Sequence, residues 1–205
     1  ACSEMFESNL FGQRHIVWHS SGCSSVNCGM CFCCIQDRDK RIKEMERIII
    51  VDKNDNVVGH KDRGTLNEED IYRVSALWIT NSKKEILLAR RHKNKSHHPR
   101  RWGPAVAGTV DEGESYKENI IKEAEEELGL KNIDPAIGLK REAKEKYHHF
   151  TQWYTMVLDE DISYFKIQED EVEEIKWWAK EDLKTELEAH PENFLPQMKY
   201  YLDIF

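Results

Sequence analysis

Residues 108–130 read GTVDEGESYKENIIKEAEEELGL, a loop that leads into a helical segment. Ser115 and Glu118 have the spacing of a capping box, in which each side chain accepts the other residue's backbone N–H. Gly129 stands where a glycine commonly ends a helix. The apolar residues that recur at helical spacing are Ile120, Ile121, Ala124 and Leu128. The pattern therefore predicts a helix over Tyr116–Leu128.

Three carboxylates on this helix form a candidate metal site. Glu123, Glu126 and Glu127 stand at positions i, i+3 and i+4, so they share one side of the helix. Like charges at this spacing repel one another, and Mg²⁺ or Mn²⁺ would remove the repulsion while gaining hard oxygen ligands. The alternative is a solvated acidic helix face. The spacing of the whole stretch favours the metal site.

The whole stretch closely resembles the Nudix box, G-x5-E-x7-R-E-U-x-E-E-x-G-U, where U is a bulky apolar residue. Gly108, five residues, Glu114, seven residues and then KEAEEELGL follow this spacing. Two positions depart, since Lys122 replaces the usual arginine and Ala124 is small for its place. The resemblance implies a Nudix domain over residues 45–205. The expected fold is α+β, an α/β/α sandwich with helices flanking a mixed sheet.

The resemblance also implies a reaction and a site. Nudix hydrolases cleave a nucleoside diphosphate linked to another group, X, with a metal-activated water. Glu123, Glu126 and Glu127 match the metal-binding and catalytic glutamates. The carbonyl of Gly108 matches a backbone ligand, and Glu114 matches a loop glutamate that supports the metal site. The implied cofactor is Mg²⁺ or Mn²⁺, and the implied partner is a small-molecule nucleotide or other diphosphate.

Lys122 raises the question of how the metal-binding glutamates are oriented. The family arginine orients glutamates with a planar fork, whereas lysine offers one compact charge without bidentate geometry. We expect Lys122 to neutralise the carboxylates, so that the metal site survives with looser geometry. The alternative is a surface lysine that pairs with Glu118 and Glu126.

A basic run, RRHKNKSHHPRR, occupies residues 90–101 of an otherwise acidic protein. It precedes the carboxylate-rich box, and an anionic substrate approaching carboxylates needs positive charge nearby. We expect Arg90 or Arg91, together with Arg100 or Arg101, to contact phosphate. The alternative is a solvated loop.

The general base is expected outside the box, on a loop late in the chain, as in many family members. Glu169, Asp170 and Glu171 are the candidates, with Glu171 taken as the representative. Glu142 and Glu145 are alternatives, and the sequence does not choose among the five.

One branch of the family is more similar than the others. The segments IVDKNDNVVG, ARRHKNK and HPENFLPQMKYYL resemble isopentenyl diphosphate isomerases, which use a cysteine and a histidine just before the box. Those positions hold Ala107 and Thr109 here, and neither can perform that chemistry. We therefore favour a hydrolase with isomerase-like architecture. A module that binds a nucleotide without cleaving it is a further alternative, suggested by Lys122.

Composition narrows the class of protein. The net charge of −8 argues against a general nucleic-acid binder. Neither a bilayer-spanning apolar run nor a secretory signal pattern is evident, so we expect a cytoplasmic protein without a membrane partner. A homodimer is compatible with the sequence.

All six cysteines lie at or before Cys34. Residues 1–44 therefore differ in character from the rest, and we expect a poorly packed leader, or one not native to the domain, because Met45 precedes the first clear strand. The alternative is a structural Zn²⁺ site, since Cys28 and Cys31 have zinc-ligand spacing. Its further ligands would come from Cys23, Cys33 or Cys34.

The remaining elements follow from apolar patterns and turn signals. The expected strands are a hairpin over 46–59, a pair at 74–80 and 85–90, and further strands at 133–139, at 152–158 and at the end of 169–178. The expected helices are 181–187 and 193–205, separated at His190-Pro191.

Overall fold

The structure is a computed structural model that describes residues 5–8, 14–17, 47–144 and 147–205. The chain divides into two units, Ala1–Lys43 and Glu44–Phe205. In the first unit, strands β1 (Met5–Ser8) and β2 (Arg14–Val17) pair antiparallel. All six cysteines of the predicted leader, including the candidate zinc ligands, lie outside the described residues.

The described residues of the second unit form strands, three helices and short 3₁₀ turns. Its strands are β3 (Arg47–Val51), β4 (Val57–Asp62), β5 (Ile71–Thr80), β6 (Ile86–Arg91), β7 (Trp102–Pro104), β8 (Val106–Thr109), β9 (Ala136–Lys144), β10 (His148–Val157) and β11 (Val172–Trp178). Its described helices are α1 (Tyr116–Leu128), α2 (Lys180–Ala189) and α3 (Met198–Ile204). The 3₁₀ turns are Arg63–Thr65, Ile162–Tyr164 and Pro191–Asn193.

The strands of the second unit form one mixed sheet whose main path is β11-β6-β5-β10-β9. Strands β5 and β10 run parallel, and the other pairs are antiparallel. Strands β5 and β6 pair with each other at Ile79–Leu87 and Thr80–Ile86. Farther along, β8 pairs with β5 and β7 pairs with β6, so the two strands diverge. The candidate site lies where they separate.

Helices cover both faces of this sheet, as predicted. Successive residues of β5 point to opposite faces, so Leu77 and Ile79 belong to one core, whereas Ala76 and Trp78 belong to another. The residues of α1 in the first core are Ile120, Ala124 and Leu128. The residues of α2 and α3 in the second core are Leu183, Leu187, Met198 and Leu202. The predicted α+β sandwich is confirmed.

Several element bounds differ from the sequence-based ones. The strand expected over 133–139 begins at Ala136 and runs to Lys144, because β9 gains its partners from β10 across polar positions. The helix expected over 193–205 is limited to α3, because Gln197 has a left-handed φ of 75° and starts the helix late. In the described part of the chain, every helix is too short or too polar to cross a membrane.

Candidate active site

Local hydrogen bonds hold both ends of α1, which carries the predicted glutamates. The Ser115 hydroxyl accepts the Glu118 N–H at 3.2 Å, and the Glu118 carboxylate accepts the Ser115 N–H at 2.8 Å. Gly129 has a φ of 71° and donates to the carbonyl of Glu125 at 3.0 Å. The predicted helix and both of its caps are confirmed.

Glu123 packs directly against the backbone of Gly108 in β8. A Cβ atom at position 108 would lie 2.3 Å from the Glu123 carboxylate, so a larger residue there would displace the Glu123 side chain. The predicted carbonyl ligand and one predicted carboxylate ligand are therefore neighbours. Glu126 is exposed on the helix, as is Glu125, which pairs with Lys131 at 3.1 Å.

A pocket opens beside the diverging ends of β5 and β6, and we call it the carboxylate pocket. Its lining residues are Ala89, Arg90, Arg91, Gly103, Pro104, Ala107, Glu127, Glu171, Val172 and Leu195. Strand β6, helix α1 and the loop before β11 each contribute charged side chains to it. The pocket thus brings together two predicted arginines, one predicted metal ligand and the representative candidate base.

Burial and neighbouring charges both affect Glu127, the carboxylate that α1 contributes to the pocket. Burial raises the pKa of Glu127 to about 8, and the negative charges of Glu123 and Glu171 add to this rise. The positive charges of Lys95 and Arg91 oppose it. The Glu127 carboxylate is therefore costly to ionise without a further cation.

These residues fit a divalent cation in their chemistry. Carboxylate and carbonyl oxygens are the donors that Mg²⁺ and Mn²⁺ take, and the charge of a cation would offset the repulsion that raises the pKa of Glu127. Within the described residues, no three His, Cys, Asp or Glu side chains form a ready-made metal cluster.

Arg90 and Arg91 both line the pocket, but their contacts differ. Burial lowers the pKa of Arg91, while the charges of Glu127 and Glu171 act to raise it. The Arg91 Nε donates to the His97 carbonyl at 3.0 Å, which fixes the side chain. Arg90 lies 3.5 Å from the carboxylate of Glu174.

The other two arginines of the basic run have partners outside the pocket lining. Arg100 is exposed and lies 3.8 Å from Glu173, and Arg101 donates to the Phe194 carbonyl at 3.4 Å. Their predicted phosphate contacts stay predictions.

Of the candidate bases, Glu171 lines the pocket, where Lys95 pairs with it. Glu169 and Asp170 are exposed, and Glu142 pairs with His148 at 2.8 Å. The remaining candidate, Glu145, lies outside the described residues. Lys95 was not singled out in the sequence, although the basic run that contains it was the available signal.

Lys122 contacts the loop before α1. Its Nζ lies 2.8 Å from Asp111 and 2.9 Å from Glu114. Although burial acts to lower it, the pKa of Lys122 is raised above its ordinary value by hydrogen bonds to these two carboxylates. The alternative pairing of Lys122 with Glu118 and Glu126 is wrong, because the loop folds back over the helix and brings stronger partners.

Asn119 is a further residue of this region that the sequence reasoning missed. It is fully buried between α1 and the sheet, and its Nδ2 donates to Glu114 at 2.9 Å and to the Thr109 carbonyl at 3.1 Å. Its Oδ1 accepts from the hydroxyl of Ser75. The available signal was its position four residues before Glu123, which puts the two side chains on the same side of the helix.

Comparison with known proteins finds a family model and several similar proteins that match this chain. A model of the NUDIX domain matches residues 71–198, more than half of the chain. An isopentenyl-diphosphate Delta-isomerase from Photorhabdus laumondii is 34% identical over 106 residues, which cover 50% of this chain and 60% of that protein. A prenyl-diphosphate phosphatase from Methanosarcina mazei is 31% identical over 153 residues, which cover 73% of this chain and 88% of that protein.

A solved structure has the same architecture. A protein from Deinococcus radiodurans superposes with a TM-score of 0.68 at 24% identity, covering 77% of this chain and 98% of that one. This likeness concerns the fold alone. The sequence match to the isomerase spans less than two thirds of that enzyme, whereas the match to the phosphatase spans most of it.

Proposed function

The chain belongs to the Nudix family, and from that premise we propose that it hydrolyses a diphosphate linkage with Mg²⁺ or Mn²⁺. The observation that carries the proposal is the carboxylate pocket, which Glu127, Glu171, Arg90 and Arg91 line together. Arginine side chains beside several carboxylates suit a reaction in which an anionic substrate binds next to a metal ion held by carboxylates.

We assign the cation to oxygens of Glu123, Glu126 and Glu127 and to the carbonyl of Gly108. When bound, a divalent cation neutralises phosphate charge and lowers the pKa of water. Glu114 supports this arrangement from the loop, where Lys122 neutralises it.

The protein's own groups carry the remaining steps. Arg90 and Arg91 bind phosphate oxygens and orient the diphosphate. A carboxylate oxygen of Glu171 accepts the proton of the attacking water. The water oxygen forms a new bond to phosphorus as the bridging P–O bond breaks, and the leaving group departs with the bonding electron pair.

A substrate panel tests this proposal. Nucleoside triphosphates, ADP-ribose, dinucleotide polyphosphates and isoprenyl diphosphates would each be incubated with the full chain and Mg²⁺ or Mn²⁺. We expect metal-dependent release of phosphate or a monophosphate from at least one of them. The absence of metal-dependent turnover across the panel would contradict the proposal.

The group attached to the diphosphate defines the substrate, and two classes of substrate have support. A nucleoside diphosphate linked to X is what the family resemblance implies. A prenyl diphosphate is favoured by the apolar residues beside the arginines, such as Ala107, Pro104 and Leu195, and by the relative named a prenyl-diphosphate phosphatase. The two are separated by kcat/KM: a preference for isoprenyl diphosphates over ADP-ribose selects the second class, and the reverse selects the first.

A sensor that binds without cleaving is the alternative from a different class. Calorimetric titration of ADP-ribose with Mg²⁺, followed by product analysis, separates it from an enzyme. Tight binding with intact ligand would support the sensor, whereas product would support the hydrolase.

A further inference from the structure

We infer that Asn119 is a positioning residue that shares with Lys122 the task of holding Glu114, and that it fixes the backbone beside Gly108. The fixed positions of the box leave residue 119 unassigned. The inference rests on the proposed function, because Gly108 and Glu114 belong to the assigned metal site.

Every polar group of the Asn119 side chain has a hydrogen-bond partner. Its side chain is fully buried, and a buried amide without partners is costly. Its Nδ2 donates to Glu114 at a nitrogen–oxygen distance of 2.9 Å and to the Thr109 carbonyl at 3.1 Å. Its Oδ1 accepts a hydrogen bond from the Ser75 hydroxyl. This arrangement requires an amide, because a carboxylate of the same shape would lack both donors.

Both carboxylate oxygens of Glu114 accept a hydrogen bond from α1. Lys122 donates to its Oε1 at 2.9 Å, and Asn119 donates to its Oε2 at 2.9 Å. An arginine can supply two parallel donors to a carboxylate from one guanidinium group. Here the two donors come from separate side chains three residues apart on α1, which lie on the same side of the helix. Glu114 is thus held by two separate donors, the ammonium of Lys122 and the amide of Asn119.

Asn119 also contacts the backbone next to the assigned ligand Gly108. The Thr109 carbonyl held by Asn119 follows Gly108, and Gly108 packs against Glu123. Ser75 pairs with Gly108 in the sheet, so the same amide joins β5, β8 and α1 at one point. Loss of the amide would let both the loop glutamate and the backbone ligand move. Changes to residues that orient metal ligands typically cost about 10- to 100-fold in metal affinity.

Mn²⁺ binding to the full chain, measured by calorimetry without substrate, tests the inference. We expect Asn119→Ala to weaken Mn²⁺ roughly tenfold or more. The decisive variant is Asn119→Ala combined with Lys122→Arg, because a guanidinium can reach both oxygens of Glu114 alone. We expect the combination to bind Mn²⁺ about threefold or more tightly than Asn119→Ala alone, with the remaining loss due to the missing hydrogen bond to the Thr109 carbonyl.

Gln152→Ala is the matched control. Gln152 is also a buried amide that donates to backbone carbonyls, those of Gly138, Leu139 and Trp153, but it lies in the β9–β10 pair. Its loss should disturb the fold without weakening Mn²⁺. If Asn119→Ala binds Mn²⁺ as well as Gln152→Ala does, or if Lys122→Arg fails to rescue it, the inference is overturned.

A measurement without metal separates this inference from the proposed function. Urea unfolding of Asn119→Ala, Glu114→Gln and the double variant forms a double-mutant cycle. We expect the effects on the unfolding constant to be non-additive by about threefold or more, since the two side chains are bonded. Additive effects would overturn the inference. If the original chain binds no Mn²⁺ while the cycle remains coupled, the proposed function fails and the hold on Glu114 stands.

Discussion

The carboxylates on the loop before α1 and those beside the carboxylate pocket differ in what neutralises them. Asp111 and Glu114 have the ammonium of Lys122 within 2.9 Å, and Arg63 adds a second cation at 3.2 Å from Asp111. Beside the pocket, Glu127 has its pKa raised to about 8, first by burial and then by the charges of Glu123 and Glu171.

The contrast shows that acidic side chains of neighbouring segments differ in how their charge is balanced. Where cations and amides surround a carboxylate, its charge is already balanced and it can hold a loop in place. Beside the pocket, the charges of Lys95 and Arg91 act against the raised pKa of Glu127 without cancelling it, so a bound cation would add to the balance. The loop carboxylates therefore shape the site, and the carboxylates on the pocket side are suited to bind a cation.

The largest effect that would test this contrast is expected at Glu127. Glu127→Gln should lower the hydrolysis rate by roughly a thousandfold or more, because metal charge stabilises the transition state by several kcal/mol. The measurement is kcat at saturating Mg²⁺ on the substrate that the panel identifies.

The control for Glu127 lies two residues away on the same helix. Glu125→Gln removes the same charge from an exposed side chain that pairs with Lys131, and the change should leave the rate nearly intact. Near-normal turnover by Glu127→Gln, or an inactive Glu125→Gln variant, would show that the motif has been aligned wrongly on α1.

The next effect is expected at Glu171, the candidate base of the pocket. Glu171→Gln should lower kcat by about 100-fold, which lies within the usual contribution of a general base. Affinity for Mn²⁺ should change little, because Glu171 is not assigned as a ligand.

Glu169→Gln is its control, since Glu169 is exposed on the same loop. Equal losses in the two variants would assign the effect to the loop's overall charge, and the role of Glu171 as the base would have to be abandoned.

A smaller effect is expected where helix and strand touch. Gly108→Ala would put a Cβ atom 2.3 Å from the Glu123 carboxylate, which must swing away. Because only the end of a flexible side chain moves, the free energy of unfolding should fall by about 1 kcal/mol or less. Mn²⁺ affinity should fall by roughly 10- to 100-fold. A variant that binds Mn²⁺ normally would remove Glu123 from the ligand set.

The smallest effect is expected at Lys122, which pairs with the loop carboxylates. Lys122→Met should lower the free energy of unfolding by no more than about 1 kcal/mol, because Lys122 is partly exposed and solvent screens its ion pairs. Urea denaturation measures this change. Lys117→Met is the comparison, since Lys117 pairs with the highly exposed Asp134 and its loss should cost even less. A larger cost for Lys117→Met would show that Lys122 does not hold Asp111 and Glu114 more firmly than an ordinary surface ion pair would.

Features that depend on near neighbours in the chain were predictable. The helix over Tyr116–Leu128, its capping box and the glycine at its end involve contacts within a few residues, so their spacing is visible in the sequence. The hairpin formed by β3 and β4 was visible for the same reason. Strand β9 was misjudged because its polar residues become strand-like only through pairing with β10.

By itself the sequence determined that three glutamates share one helix side and that a basic run lies upstream, because helical periodicity and charge are local properties. Only the tertiary structure decided which partners meet. Lys95 and Glu171 are 76 positions apart and Ser75 and Asn119 are 44 apart, and each pair meets because the sheet and its loops bring distant segments together. Residue spacing carries no information about such contacts, since they arise from strand order and from the loop that closes over α1.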